Sequence, residues 1–242
     1  MRLWLWTPDW VFRVLGASFF VGFLAYRVTD YYDGFWTLGP WYKFGSGYTL
    51  RVPWVHVLVD ATYLLIALGF CFRLPPRSRA SRGRDIVIAL SGAFLPFAPI
   101  VLEWTLGWLS PAWSSAFQSF RWGDKPLSLS AMLSGTILIL LGNALDVWGY
   151  GTLFRSLSIV PEARELKVRG AYRLVRHPVY LGQIMAQGGA WLCFAKTHVV
   201  WITFYFCFVA LQLYRSKLED RVLEQAFGER YRQWKQRTFW FI

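Results

Sequence analysis

Six stretches of this chain are apolar for long enough to decide its solvent: residues 10–26, 52–72, 85–109, 127–154, 179–195 and 198–214. A helix needs roughly 20 apolar residues to cross a hydrocarbon layer about 30 Å thick. Inside that layer no water pairs with backbone amides, so each run must satisfy its own and is expected to be helical. The sequence therefore predicts an all-α, polytopic transmembrane bundle of about six spans and excludes an ordinary soluble domain. Only Lys196 and Thr197 separate the apolar parts of the last two runs, which predicts a tight C-terminal helical hairpin. Beyond it, Leu218, Val222, Leu223, Phe227, Tyr231 and Trp234 continue an apolar stripe, which predicts an interfacial C-terminal helix. The opening "MRLWLW" leads into the first run without a small-residue cleavage site, so that run is read as a retained helix.

The formal charge is +12, and its placement matters more than its size. Five arginines lie in "RLPPRSRASRGR" after the second run. Arg155, Arg164, Lys167, Arg169, Arg173 and Arg176 follow the fourth, and Arg215, Lys217 and Arg221 follow the sixth. An even number of spans separates these segments, so all three can share one side. The positive-inside rule puts that side, with both termini, in the cytoplasm. Topology explains the charge, and a nucleic-acid partner is set aside. Cys71, Cys193 and Cys207 fall in apolar runs and form neither a disulfide framework nor a metal pattern.

Residues 27–51 and 110–126 are rich in Trp, Tyr and Gly and are expected to be loops at the headgroup level. Pro96 and Pro99 should bend the third span. Charges inside spans are costly, which singles out Asp60, Glu103 and Asp146. Asp60 has His56 four residues earlier on the same helix face, a local partner that makes a structural role the simpler reading.

Polar residue types concentrate where the fourth, fifth and sixth runs meet the basic side. In "WGYGTLF", Gly149 and Gly151 permit close backbone approach, although small residues also mark plain helix packing. In "RGAYRLVRHPVYLGQ", His177 precedes Pro178 and is pushed out of the helical region, while Pro178 suits a first helical turn. The helix start leaves free amides that attract an anion, with Tyr180 and Gly182 in the following turn. In "YRSKLEDRVLEQAFGERYRQW", Arg215 and Glu219 share a helix face and Asp220 is adjacent. Alone, Arg215 and Glu219 would be an ordinary surface pair. The short hairpin, however, brings Glu219 near His177, and together the segments outline a pocket open to cytosol and lipid.

"RGAYRLVRHPVYLG", "GYG" at 149–151 and "ED" at 219–220 resemble, in this order, the motifs of the integral-membrane methyltransferases. That group includes isoprenylcysteine carboxyl methyltransferases and phospholipid N-methyltransferases. The likeness covers roughly the last hundred residues and implies a methyltransferase core at 127–242, with 1–126 supplying packing and acceptor selectivity. It implies S-adenosylmethionine as cofactor, held by Tyr172, Arg176, His177, Pro178, Tyr180 and Gly182, with Gly149 and Gly151 closing the pocket. Glu219 and Asp220 would contact the cofactor or orient the acceptor, with Asp220 standing where the family carries a second glutamate.

Displacement at a sulfonium needs no protonated leaving group, so positioning and water exclusion carry such a reaction. The absence of a Ser-His-Asp pattern fits this chemistry. The implied acceptor is a lipophilic or lipidated molecule drawn from the membrane lipids. A prenylcysteine-like carboxylate held by Arg215, itself paired with Glu219, is the first expectation. A phospholipid amine or small thiol is the second. A sterol-type membrane reductase using a nicotinamide cofactor and a non-catalytic scaffold are the rival classes.

Overall fold

A computed structural model of the chain describes residues 8–31, 42–43, 49–50, 54–80, 82–122, 128–194 and 199–240. Nine helices are described: α1 (Asp9–Tyr31), α2 (Trp54–Phe72), α3 (Gly83–Phe94), α4 (Ala98–Leu109), α5 (Pro111–Trp122), α6 (Leu129–Leu153), α7 (Pro178–Phe194), α8 (Val199–Phe227) and α9 (Glu229–Gln236). Five helical segments are long and apolar enough to cross a membrane: 9–29, 54–72, 83–109, 129–156 and 199–227. The fifth expected span differs. Helix α7 has 17 residues, about 25 Å at 1.5 Å per residue, which is short of a full hydrocarbon layer. The turn residues Lys196 and Thr197 lie outside the described residues.

The bundle turns apolar side chains outward, with Val87, Val199 and Phe206 more than half exposed and Trp108 95% exposed. Such a surface is stable against lipid and not against water. With the match reported below, this makes the chain an integral membrane protein. Between α3 and α4 the backbone tightens into a 3-10 turn at Leu95–Phe97, where Pro96 and Pro99 sit at helix starts. Residues 111–122, expected as part of a loop, form α5 instead. Pro111 opens it, and a first-turn proline loses no helical hydrogen bond.

The tightest pairing joins α6 to α7. A Cβ on Gly142 would fall 2.6 Å from Ala186 N and Gly182 O, and one on Gly189 would fall 2.5 Å from Gly135 O. Because lipid is as apolar as the side chains, membrane helices associate through close van der Waals contact, which these glycines permit. Asp60 is met differently from expectation. Arg27 of α1 donates to its Oδ1 at 2.6 Å and reaches His56 Nδ1 at 3.3 Å. Helix α1 runs on to Tyr31, so Arg27 lies in the bundle and neutralises the carboxylate that His56 was expected to satisfy.

The basic loops also pack inside. β1 (Tyr42–Lys43) pairs with β2 (Thr49–Leu50), and β3 (Ser78–Arg79) pairs antiparallel with β4 (Glu162–Ala163). The second ribbon ties the loop after α2 to the loop after α6, helped by Leu74 N donating to Arg155 O at 2.7 Å. Arg73, Arg79 and Arg164 converge on Asp9 and Glu162. Arg73 and Arg164 are each 3% exposed. Part of the basic charge is therefore structural as well as topological. Burial pushes the Arg73 guanidinium down, and the neighbouring Arg164 charge adds to the shift.

Helix α8 continues unbroken through Phe227, and Gly228 at φ 53° separates it from α9. The expected interfacial stripe therefore starts within α8 and reaches α9. Leu218, Val222 and Tyr231 are buried against protein, whereas Leu223, Phe227 and Trp234 are partly buried.

Candidate active site

Chain punctuation builds the site. Gly170 at φ 58° turns the loop beneath α6, and a Cβ there would lie 2.6 Å from Thr152 Oγ1. The 3-10 turn Gly170–Arg173 then buries Tyr172. His177 caps the next element: Leu181 N donates to His177 O at 3.0 Å, and α7 begins at Pro178 as its sequence predicts. The chain end returns to this loop, where Arg176 N donates to Phe239 O at 2.8 Å and Phe239 N to Leu174 O at 3.3 Å.

His177 is 3% exposed. Its Nε2 lies 2.7 Å from Asp220 Oδ1, and its Nδ1 lies 3.9 Å from Glu219 Oε2. Asp220 also accepts from Arg176 NH1 at 3.1 Å and from the Tyr231 hydroxyl. Burial first, and then that hydrogen bond, push the Tyr231 phenol far up, so it remains a donor. Glu219 and Tyr180 line the same chamber. Burial, with the Glu219 charge adding, raises the Tyr172 phenol well above its ordinary value.

Three internal spaces meet here. A chamber of about 50 Å³ has Tyr150, Tyr172, His177, Tyr180, Arg215 and Glu219 in its wall. A second of about 30 Å³ is lined by Ser156, Tyr172, Arg176, Glu219 and Trp234 among others, and shares Tyr172 and Glu219 with the first. Above them a cavity of about 310 Å³ lies among α1, α2, α6, α7 and α8, sharing Tyr150, Leu157, Ser158 and Arg215 with the first chamber. An apolar groove of about 480 Å³ between α1 and α3 shares Phe20, Ser158 and Ile159 with that cavity.

The expected residues divide between two jobs. Tyr172, Arg176, His177, Tyr180, Arg215 and Glu219 line the small chambers. Gly149, Gly151, Pro178 and Gly182 are not in those walls. A Cβ on Gly149 would lie 2.7 Å from Val179 Cγ2, and one on Gly182 would lie 2.5 Å from Asp146 Oδ1, which puts both in the α6–α7 seam. Gly151 faces open space. Arg215 and Glu219 share a helix face without forming an ion pair. The Arg215 guanidinium donates to Gln212 Oε1 at 2.8 Å and Ile159 O at 3.2 Å, and lies 4.9 Å from the Tyr180 ring centre. Neutral acceptors in the fold take it first. Sequence reasoning did not pick out Ser156 or Tyr150, whose residue types carry no spacing signal, and read Trp234 only as part of the apolar stripe. Asp146 did signal itself as an intramembrane charge.

A nucleoside cofactor suits the donor set of the small chambers. Ser156 Oγ, Arg176 Nε and Trp234 Nε1 are buried without a hydrogen-bond partner, and a ligand rich in hydroxyls and ring nitrogens would satisfy such atoms. The space is narrower than the donors imply. Chambers of 50 and 30 Å³ hold a water or two, at roughly 30 Å³ per water, and are smaller than a nucleoside.

No curated protein matches the chain. Residues 130–230 match the phospholipid methyltransferase family, a segment containing α7, nearly all of α6 and α8, and every residue that joins His177 to Glu219 and Asp220. Over this segment the chain is thus similar to the phospholipid methyltransferases, a family of membrane methyltransferases.

Proposed function

We propose that the protein transfers a methyl group from S-adenosylmethionine to the polar head of an amphiphile drawn from the bilayer, at the cytoplasmic face. The observation that carries this reading is the shared wall: His177 and Glu219 line a polar chamber that meets a largely apolar cavity at Tyr150 and Arg215. When bound, S-adenosylmethionine supplies an electrophilic methyl group on a sulfonium. The chain's own residues hold, orient and exclude water. Glu219 accepts from ligand hydroxyls, Ser156 and Trp234 add polar contacts, and Asp220 fixes the His177 ring. The groove between α1 and α3 gives an alkyl chain a sideways route to the large cavity.

Arg215 has its Nε buried and unpaired, a donor for an acceptor carboxylate such as that of a prenylated cysteine. A phospholipid amine is the second acceptor reading, and Asp146 favours it, as argued below. The test uses the purified full chain in vesicles of native membrane lipid with methyl-labelled cofactor. Label should enter an extractable lipid and be lost in His177→Ala and Glu219→Ala, and S-adenosylhomocysteine should bind the unmodified protein. Binding of reduced nicotinamide dinucleotide in its place would move the reading to the reductase class.

A further inference from the structure

Asp146 lies in the wall of the 310 Å³ cavity and is 5% exposed. Its Oδ1 is buried without a hydrogen-bond partner, and no basic side chain forms an ion pair with it among the described residues. Its seat on α6 is fixed by close packing, since Oδ1 lies 2.5 Å from where a Cβ on Gly182 would stand. A carboxylate held this way in apolar surroundings is costly unless something cationic reaches it. The other charged side chain in the same wall, Arg215, has its two terminal nitrogens on Gln212 and Ile159 O and its face on the Tyr180 ring, and keeps only its buried Nε open. Asp146 Oδ1 is thus an acceptor of this wall left without a donor. Around it stand the polar tips of Asn143, Tyr150 and Gln183 and apolar side chains such as Val59 and Phe208. That composition suits a cationic head followed by a hydrocarbon tail.

We infer that Asp146 is an acceptor-selecting residue: it binds the basic nitrogen of the amphiphile that enters this cavity, in preference to an amphiphile ending in a carboxylate. The inference rests on the methyl-transfer reading only for calling this molecule the acceptor. An arriving primary ammonium gives one proton to the Asp146 carboxylate: the N–H bond breaks, an O–H bond forms, and the N–H electron pair stays on nitrogen as the lone pair. The products are a neutral amine and a neutral carboxyl, so the exchange balances without a further reactant and leaves the nitrogen nucleophilic.

The experiment measures binding, separately from turnover. The full chain in phosphatidylcholine nanodiscs is titrated with two fluorine-labelled single-chain amphiphiles of equal length, one ending in a primary amine and one in a carboxylate. The expected result is tighter binding of the amine by about 10- to 100-fold, the range for satisfying one buried acceptor that is otherwise unpaired. Asp146→Asn should abolish that preference while S-adenosylhomocysteine binds as before. Equal binding of the two amphiphiles, or tighter binding of the carboxylate, overturns the inference in the unmodified protein alone, whatever the variant does. An Asp146→Asn protein that keeps the preference overturns it too. Loss of the methyl-transfer reading has a different signature: the unmodified protein binds no S-adenosylhomocysteine, and the amphiphile preference is read independently of it.

Discussion

Asp220 accepts a hydrogen bond from His177 Nε2 at 2.7 Å, and in doing so ties the start of α7 to the C-terminal half of α8. Its two oxygens also serve Arg176 and Tyr231. The neighbouring Glu219 makes fewer contacts, with its side chain 26% exposed toward the chambers. Adjacent carboxylates thus have different surroundings, one inside a hydrogen-bonded network and one in the chamber walls.

Asp220→Ala leaves buried donors on three residues without an acceptor. Breaking a buried charged network of this kind costs about 3 kcal/mol or more. The variant should melt well below the unmodified protein in the same detergent, and differential scanning calorimetry reads the shift.

Glu219→Gln should do the reverse. Its stability cost should stay under about 1 kcal/mol, as for a part-exposed group outside the Asp220 network. Affinity for S-adenosylhomocysteine should fall by about tenfold or more, the loss of a charged acceptor. Unchanged affinity in calorimetric titration would remove Glu219 from the cofactor site.

The glycines of the α6–α7 seam separate packing from exposure. Gly182→Ala forces a Cβ to within 2.5 Å of Asp146 Oδ1 and 2.7 Å of Gly142 O, and should destabilise by about 1–3 kcal/mol through overpacking. Gly151→Ala meets nothing within 4 Å and should stabilise by up to about 1 kcal/mol through helix propensity. Thermal unfolding of the two variants should shift in opposite directions.

Tyr231 carries a pH signature. Its folded-state pKa is raised from 10.0, so the stability it contributes is complete below that pH. That contribution erodes as the pH rises further and the unfolded chain ionises first. Tyr231→Phe should lose about 1–3 kcal/mol at neutral pH by leaving Asp220 short of a donor. It should also show a shallower fall in stability above pH 10, which denaturation at stepped pH measures.

The wall around the second chamber includes Trp234 of α9, and α9 meets the rest through Tyr231, the Phe239 bridge and few other bonds. Because the chambers are narrower than a nucleoside, S-adenosylhomocysteine should change amide exchange across residues 229–240 ahead of the α6–α7 seam. Hydrogen-exchange mass spectrometry with and without it checks this.

Five of the six expected spans were legible from run length alone, because backbone pairing in lipid leaves a long apolar run one solution. The helix start at Pro178 and the bend at Pro96 and Pro99 were equally legible, since proline acts on its own backbone. Helix α5 was not, because aromatic-rich amphipathic residues suit a loop or a surface helix alike. The site was legible as far as neighbours in sequence and the short hairpin define it: His177 with Glu219, and the glycines as close-approach points. Which glycines serve the seam and which face outward depends on the rotation of α6 about its axis, and that is set by contacts with α7. Arg27 on Asp60, Arg215 on Ile159 O, and Trp234 with Arg176 in one chamber wall join residues far apart in the chain. Residue type fixes what each can bond, but a pairing energy exists only once packing has brought the two atoms together, so tertiary structure chose these partners.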